Sequence, residues 1–251
     1  MTEQISKQII SLAEKYENEK FLASDPSCFM HKVEGRDNQE TTAFVASCLS
    51  YGSRKQFFPK IQYILDCSGN DVFSWVAERR FENDIPDNEK CYYRLYTCHD
   101  MNKTLGTLAD MIDEHGSIRN YVIREASDGF SAIEAICRYF SSKGTNAAIP
   151  KNANSACKRI CMFLRWMVRD NSPVDLGLWN SFIDKRTLIM PLDTHVVQEA
   201  CRLGLLSSKS ASMGAAKRLT KSMLEIFPDD PLKGDFALFG LGVDEERPKK
   251  K

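Results

Sequence analysis

The amino-acid sequence predicts an all-α protein. Apolar residues recur at helical spacing, three or four positions apart, in nearly every long segment of the chain. Glycine, asparagine and proline separate these segments, as is typical of the connections between helices. No segment shows a sustained apolar–polar alternation with a period of two, which is the pattern of a half-buried strand.

The predicted helices follow one another along the whole chain. The first covers residues 2–20 and places Ile5, Ile9 and Ala13 on one side. The second, at residues 38–50, starts with polar capping residues and continues into an apolar stretch. The later predicted helices are residues 54–67, 71–81, 101–114, 117–126, 130–141, 155–169, 194–205 and 211–226, with a short FALFG segment near the end. The closing EERPKKK is predicted to be a frayed tail.

Composition predicts a soluble globular protein of one large domain or two smaller ones. Of the 251 residues, 43% are hydrophobic and 27% charged, and the formal net charge is zero. No apolar run approaches the roughly 20 residues that a membrane helix needs. The N-terminus lacks the basic head and continuous apolar core of a signal peptide. We therefore expect a cytoplasmic protein that does not bind membranes.

The nine cysteines are predicted to be reduced and structural. Their number is odd, no pair has CxxC spacing, and most lie within apolar helical patterns. The close pairs are Cys91/Cys98 and Cys157/Cys161, and neither is joined by a histidine at zinc-finger spacing. We expect neither a metal site nor another cofactor.

Basic residues are concentrated in two parts of this neutral chain. Residues 143–169 contain six Lys or Arg and no acid, and residues 202–221 contain five more without an acid. In the predicted helix 155–169, Lys158, Arg165 and Arg169 lie on one stripe opposite the apolar face. The stripe is either a solvated helix face or a surface for an anionic partner such as a phosphate backbone.

Asp193 lies between the two basic segments, in IMPLDTHVVQEACRLGLL. It follows an apolar run and comes directly before a predicted amphipathic helix, so it is a candidate N-cap. Thr194 could have capped the helix instead, so capping alone does not require an aspartate. A carboxylate here could also stabilise an oxocarbenium-like centre, or orient the attacking water, when an N-glycosidic bond breaks.

Three segments resemble the helix-hairpin-helix (HhH-GPD) base-excision DNA glycosylases. PLDTHVVQEACRLGL is similar to the segment that carries the catalytic aspartate of that family, IPKNANSACKRI to its hairpin and following helix, and DFALFGLGV to its late helix. Over nearly its whole length the chain more closely resembles a family of uncharacterised bacterial proteins distantly related to these glycosylases. The segments SDPSCFMHKVEGRDNQETTAFVASCLSYG and VDLGLW belong to that second resemblance.

The resemblance implies a single two-lobed helical unit over residues 1–251 that binds double-stranded DNA in the groove between its lobes. The hairpin-like and catalytic region is residues 149–206. Asp193 is implied to be the catalytic residue. The implied DNA contacts are Lys151, Ser155, Lys158 and Arg159 at the phosphate, and Tyr51, Arg54 and Lys55 in an early helix end and loop.

The chain also departs from the glycosylase pattern. Lys151 and Ala153 replace the hairpin glycines, whose freedom at positive φ a tight hairpin needs. Ser155 stands where bifunctional members carry a Schiff-base lysine, and Lys158 faces another side of the helix. We therefore expect water to be the nucleophile, without lyase activity. Only Cys201 follows Asp193, so the iron–sulfur cluster of some members is not expected.

Other interpretations remain open at the level of sequence. One is a binding module that recognises nucleic acid with Asp193 only as a cap, and another is a protein-interaction scaffold without salt-dependent nucleic-acid binding. His195 either tunes Asp193 or is structural. Tyr92, Tyr93 and Tyr96 either line a base pocket or form a packing surface.

Overall fold

The computed structural model describes residues 2–144 and 146–244, and the predicted EERPKKK tail lies outside them. The all-α prediction is confirmed, because this part of the chain forms thirteen α-helices and one two-stranded antiparallel sheet. The elements are α1 (Glu3–Tyr16), α2 (Glu19–Leu22), α3 (Arg36–Leu49), α4 (Arg54–Ser68), α5 (Val72–Ala77), α6 (Phe81–Asp84), β1 (Cys91–Tyr93), β2 (Tyr96–Thr97), α7 (Cys98–His115), α8 (Ile118–Glu125), α9 (Gly129–Ser142), α10 (Lys158–Val168), α11 (Thr194–Arg202), α12 (Met213–Leu224) and α13 (Lys233–Asp244). Short 3-10 helices occupy Pro26–Phe29 and Lys185–Thr187.

Two of the predicted helices are interrupted in the structure. The predicted helix 2–20 is two helices, because the Asn18 side chain accepts hydrogen bonds from the N–H groups of Lys20 and Phe21 and starts α2. The predicted helix 71–81 ends early, as α5, and α6 begins only at Phe81, after Arg79 with its φ of +55°. The strands β1 and β2 were not predicted, because they are three and two residues long and too short to show a period.

The chain divides into two compact units. The first consists of the described residues of Met1–Ala23, Asp128–Phe130 and Ala153–Lys251. The second consists of the described residues of Ser24–Ser127 and Ser131–Asn152. No helix in the described parts of the chain is long and apolar enough to cross a membrane.

The first unit is built around α13, which packs against α1 and α11. Ile9 of α1 and Phe236 of α13 are fully buried, and the rings of Phe21 and Phe236 meet edge to face at 5.1 Å. A Cβ on Gly240 would lie 2.2 Å from the Tyr16 ring. The close approach of α1 and α13 therefore depends on glycine at this position.

The second unit is built around α3, α5 and α7. Helix α3 is buried from Glu40 to Leu49, and α5 packs against both α3 and α7. The buried Glu40 carboxylate accepts the backbone N–H of Arg119 at 3.0 Å, at the start of α8. Trp75 is fully buried and its indole N–H donates to the Asp84 carboxylate at 2.7 Å. Each buried polar group named here thus has a partner, as burial requires.

Candidate functional site

Asp193 is the N-cap of α11. The apolar residues Met190 and Leu192 that precede it are buried, and the Met190 N–H donates to the Thr220 hydroxyl of α12 at 3.0 Å. Asp193 Oδ1 accepts hydrogen bonds from the N–H groups of His195 at 2.7 Å and Val196 at 3.1 Å. One carboxylate oxygen is therefore fixed by two amides of the first helical turn, and Asp193, not Thr194, provides the cap.

The other oxygen of Asp193 faces a cation. Asp193 Oδ2 lies 3.9 Å from Lys158 Nζ, and the two side chains are 17% and 30% exposed, so they remain open to solvent. Lys158 is the first residue of α10, and its predecessor Cys157 has a φ of +45°. A non-glycine residue in this left-handed region is uncommon and is often found at functional sites. The sequence did not predict that Lys158 would reach Asp193.

Helix α13 packs behind Asp193. A Cβ on Gly242 would lie 2.7 Å from the His195 Cβ, so glycine allows α13 to approach the first turn of α11. The His195 ring meets the Phe239 ring edge to face at 5.9 Å. This contact favours the structural interpretation of His195 over a role in tuning Asp193.

The predicted basic stripe on α10 is wrong for its two arginines. Arg165 and Arg169 are 3% and 1% exposed, and they point into the first unit. Arg165 donates to the carboxylates of Asp175 and Asp235. The apolar periodicity of α10 identified one buried face, but the segment after α10 and helix α13 cover the other face as well.

Arg169 is the centre of this buried cluster of charges, which we call the arginine–carboxylate cluster. Its guanidinium donates two hydrogen bonds to Asp230, each 2.8 Å long, one to Glu17 at 2.7 Å and one to Asp175. Buried charges require such pairing, because transfer of an isolated charge out of water is very unfavourable. The cluster links α10, α13 and the end of α1, and so holds the helix that carries Lys158.

The carboxyl group of Asp235 titrates abnormally within this cluster. Burial raises the pKa of Asp235 to about 6, Arg165 opposes that rise, and the negative charges of Asp193 and Asp175 add to it. Burial also raises the pKa of Asp175, against the opposing effect of Arg165 and Arg169. The negative charge of Asp193 thus acts on the carboxyl group of Asp235, in α13.

The predicted hairpin region takes an irregular form. Neither Lys151 nor Ala153 has a positive φ, so the tight glycine-type hairpin is absent, and residues 151–154 form bends and a turn before the bridge at Ser155. Ser155 is exposed and pairs with Ser212 in an isolated bridge before α12. Arg159 is half-buried in the first turn of α10. Lys151 is exposed in the segment that ends the second unit.

The remaining predicted contacts belong to the second unit. Arg54 and Lys55 start α4, where Lys55 is exposed and Arg54 half-buried. Tyr51 is half-buried, and its hydroxyl bonds to the backbone of the β1–β2 hairpin. Tyr92, Tyr93 and Tyr96 are 4–6% exposed, which favours a packing surface over an open base pocket.

A surface cavity in the first unit was not predicted. It has a volume of about 440 Å³ and is lined mainly by residues 180–186 with Val168 and Asp170. Its charged side chains are paired with each other, Lys185 with Asp170 and Arg186 with Asp184. The hydrogen bond from Lys185 lowers the pKa of Asp170. No residue of the predicted site lines the cavity.

Comparison with known proteins gives one family match. The model of a family described as "Protein of unknown function (DUF2400)" matches residues 25–244. Neither a curated protein nor a solved structure matches the chain significantly. The matched residues include Lys158, Asp193 and α13, whereas α1 and Glu17 precede the matched region.

Proposed function

Since the chain belongs to the DUF2400 family, we propose its function from the site around Asp193: hydrolysis of the N-glycosidic bond of a modified base in double-stranded DNA. In this proposal the protein is a monofunctional enzyme of base excision repair, similar in scaffold to the helix-hairpin-helix DNA glycosylases. Asp193 is the catalytic carboxylate and water is the nucleophile. The products are the free base and an abasic site.

One observation carries this proposal. The two carboxylate oxygens of Asp193 have different surroundings. Two backbone amides fix Oδ1, whereas Oδ2 lies beside the Lys158 ammonium, and both side chains are partly exposed to solvent. A cap needs only one oxygen, which leaves Oδ2 for another partner. The amides hold the carboxylate in place before any substrate arrives, and such preorganisation is what electrostatic catalysis requires.

The proposed reaction uses charge that develops on the sugar. As the bond from C1′ to the base nitrogen breaks, the bonding electron pair leaves with the base and positive charge spreads over C1′ and the ring oxygen. The Asp193 carboxylate stabilises this charge, and a water oxygen then bonds to C1′. One proton of that water is released and one proton is taken up by the departing base, so the step is balanced without a cofactor.

The basic residues near the site are assigned to the DNA backbone. Lys158 and Arg159 in the first turn of α10, with Lys151 and Ser155 before it, bind phosphate through side chains and helix amides. Tyr51, Arg54 and Lys55 of the second unit are proposed as further DNA contacts. Lys158 is also a primary amine 3.9 Å from Asp193, so the experiment includes a test for an imine with C1′.

A second candidate function is a module that binds duplex nucleic acid without cleaving a bond. The observation that favours it is the cap itself, because two amide hydrogen bonds already give Asp193 a complete structural role. The two candidates differ in one respect that can be measured. Only the enzyme releases a base in a reaction that requires the negative charge of Asp193.

The test is a single-turnover assay on a panel of duplexes, each with one modified base. Free base and abasic sites are scored for the wild type and for Asp193→Asn, which keeps the cap because asparagine caps as well as aspartate. The matched control is Asp71→Asn, which changes the N-cap of α5 in the same way. Binding is recorded at several salt concentrations, and borohydride is added to one series to trap any imine.

Three outcomes separate the candidates. Base release that disappears in Asp193→Asn but persists in Asp71→Asn supports the enzyme, and a borohydride adduct would replace water by Lys158 as nucleophile. Salt-sensitive binding without release from any duplex supports the binding module. No salt-dependent binding at all would contradict both nucleic-acid functions and favour a protein-interaction scaffold.

A further inference from the structure

Helix α12 carries much of the second basic segment of the sequence on one exposed face. The buried residues of this helix are Met213, Ala215, Ala216, Leu219, Thr220 and Met223. Lys217, Arg218 and Lys221 lie on the other side of the helix and are exposed. Because they are one, three and four positions apart, they form one patch along about one helical turn. We call these three residues the α12 basic stripe.

The buried face of α12 fixes the stripe within the first unit. The Thr220 hydroxyl accepts the N–H of Met190, three residues before Asp193. A Cβ on Gly234 would lie 2.2 Å from the sulfur of Met223, so the start of α13 approaches α12 closely. The stripe therefore has a defined place relative to the candidate site, on the side of α12 that faces away from this packing.

The cations of the stripe are not neutralised by the protein. In the described parts of the chain, no carboxylate forms an ion pair with Lys217, Arg218 or Lys221. The Lys217 ammonium lies 3.1 Å from the centre of the Phe130 ring instead. Such a contact holds the side chain in place but leaves its positive charge uncompensated. The stripe thus presents three cations to an external anion.

Acidic residues do lie near α12 along the chain. Glu225 is exposed one turn after Lys221, and Asp229 is exposed a little further on. Next to Phe130 in the sequence, Asp128 is half-buried and Glu134 is exposed. None of these four carboxylates reaches ion-pair distance of the stripe. Before α12 there is no acid from Arg202 onwards, and the loop residue Lys209 adds another exposed cation.

The spacing of the stripe suits the phosphates of a duplex. Lys217 and Lys221 are four residues apart, or about 6 Å along the helix axis. Phosphates on one DNA strand advance by about 3.4 Å per base pair, so two steps cover roughly 7 Å. Arg218 lies between the two lysines, and its planar guanidinium can bind two phosphate oxygens at once. One turn of α12 therefore matches two or three consecutive phosphates.

A nucleic acid fits this face better than a protein does. No large apolar side chain of α12 is exposed in the described chain. Protein–protein interfaces have an apolar centre and are depleted of lysine, whereas a phosphate backbone is bound mainly by lysine and arginine. The composition of the stripe thus favours a polyanion as its partner.

We infer that the α12 basic stripe binds the backbone of duplex DNA at the flank of the modified nucleotide. An α-helix with its side chains is about 10 Å across, so the stripe reaches phosphates about three base pairs from those at the candidate site. The inference rests on the DNA binding in the proposed function. It adds a second contact of the first unit with the backbone, and it holds for the enzyme and for the binding module alike.

The test compares the wild type with the triple variant Lys217→Gln, Arg218→Gln, Lys221→Gln. The probe is a long duplex with a tetrahydrofuran abasic-site analogue at its centre, titrated at several salt concentrations. We expect the triple variant to reduce the slope of log affinity against log salt by about 2–3, because each phosphate contact contributes about 0.9. Circular dichroism and thermal denaturation check that the variant folds as the wild type does.

The matched control is the triple variant Lys7→Gln, Lys20→Gln, Lys233→Gln. It removes the same charge from exposed positions of the same unit, so it measures the effect of net charge alone. Its slope should stay close to that of the wild type. A slope reduced as much as in the stripe variant would overturn the inference, because the loss would not be specific to α12.

Shortening the duplex tests the assignment to the flank. The wild type and the stripe variant should differ on long duplexes and should bind equally once the flank at the stripe has been removed. A difference that persists at every length that still binds would place the stripe at the modified nucleotide and contradict the flank assignment.

Failure of the stripe can be distinguished from failure of the proposed function. If the stripe variant binds the long duplex with the affinity and salt slope of the wild type, the inference is wrong and the DNA binding stands. If the wild-type protein binds neither this duplex nor its undamaged counterpart at low salt, both are wrong.

Discussion

The guanidinium of Arg169 donates two hydrogen bonds of 2.8 Å to the carboxylate of Asp230, inside the first unit. The two residues are 61 positions apart in the sequence, and the pair is at most 9% exposed. Glu17 and Asp175 bind the same guanidinium. Through Arg165 and Asp235, the same cluster connects α10, which carries Lys158, to α13, which packs behind Asp193.

We predict that Arg169→Met lowers the free energy of unfolding by about 3–5 kcal/mol, because it leaves buried carboxylates without their cation. Urea denaturation measures the change. The control is Arg186→Met, which breaks the exposed pair with Asp184 and should change stability by less than about 1 kcal/mol. Equal losses in the two variants would mean that burial does not strengthen the Arg169 pairs.

The raised pKa of Asp235 predicts that part of the stability is lost as pH rises. Burial raises this pKa from 3.8 to about 6, so between these values the folded protein binds a proton that the unfolded chain has released. The free energy of unfolding therefore falls by about 2 kcal/mol from this group as pH rises from about 4 to 7. Asp235→Asn, which is neutral throughout, should lack this component.

Urea denaturation at pH 4, 5, 6 and 7 gives the free energy of unfolding of the wild type and of Asp235→Asn. The difference between the two proteins at each pH checks this prediction. The control is Asp184→Asn, because the hydrogen bond from Arg186 lowers the pKa of Asp184 and its contribution has the opposite sign. Parallel pH profiles of the wild type and Asp235→Asn would contradict a raised pKa in the folded state.

Asp193 should matter to stability through its cap and to function through its charge. Asp193→Ala removes both amide hydrogen bonds of Oδ1 and should lower the free energy of unfolding by about 1 kcal/mol, whereas Asp193→Asn should change it little. Thermal denaturation of the two variants provides the measurement. If Asp193→Asn is as unstable as Asp193→Ala, the charge is structurally necessary and the activity test needs another variant.

Lys158→Gln should weaken DNA binding in a salt-dependent way. Loss of one phosphate contact reduces the slope of log affinity against log salt by about 0.9 for duplex DNA. Titrations at four salt concentrations measure the slope. Lys7→Gln serves as the control, since Lys7 is exposed on α1 and pairs with Glu3 in the adjacent turn. An unchanged slope would show that Lys158 does not contact the DNA backbone. Its role would then be limited to the contact with Asp193.

Tyr51→Phe should loosen the hairpin without unfolding the second unit. The change removes the hydroxyl that binds the Leu95 N–H and the Tyr93 carbonyl, and should lower the free energy of unfolding by about 1 kcal/mol. Faster hydrogen exchange of the Leu95 amide measures the local effect. Tyr63→Phe is the control, because its hydroxyl donates to Asp84 from an exposed helix face. Unchanged exchange at Leu95 would show that Tyr51 does not hold the turn between β1 and β2.

The helices could be predicted from the sequence because their signals are local. Predicted residues 54–67 and 194–205 correspond to α4 (Arg54–Ser68) and α11 (Thr194–Arg202), and Asp193 was identified as a candidate cap. Caps and apolar periodicity involve residues within a few positions of one another, so they can be read from a single segment. The β1–β2 hairpin was missed because its strands are shorter than a recognisable period.

By itself, then, the sequence determined the helical class, the order of most helices and the cap at Asp193. Tertiary structure alone decided that Lys158 meets Asp193 and that Arg165 and Arg169 are buried. The sequence of a helix with basic residues on its polar face looks the same whether that face is exposed to water or packed against carboxylates. The partners of Arg169 lie as far away as Glu17, 152 positions along the chain, and only packing of distant segments brings such charges together.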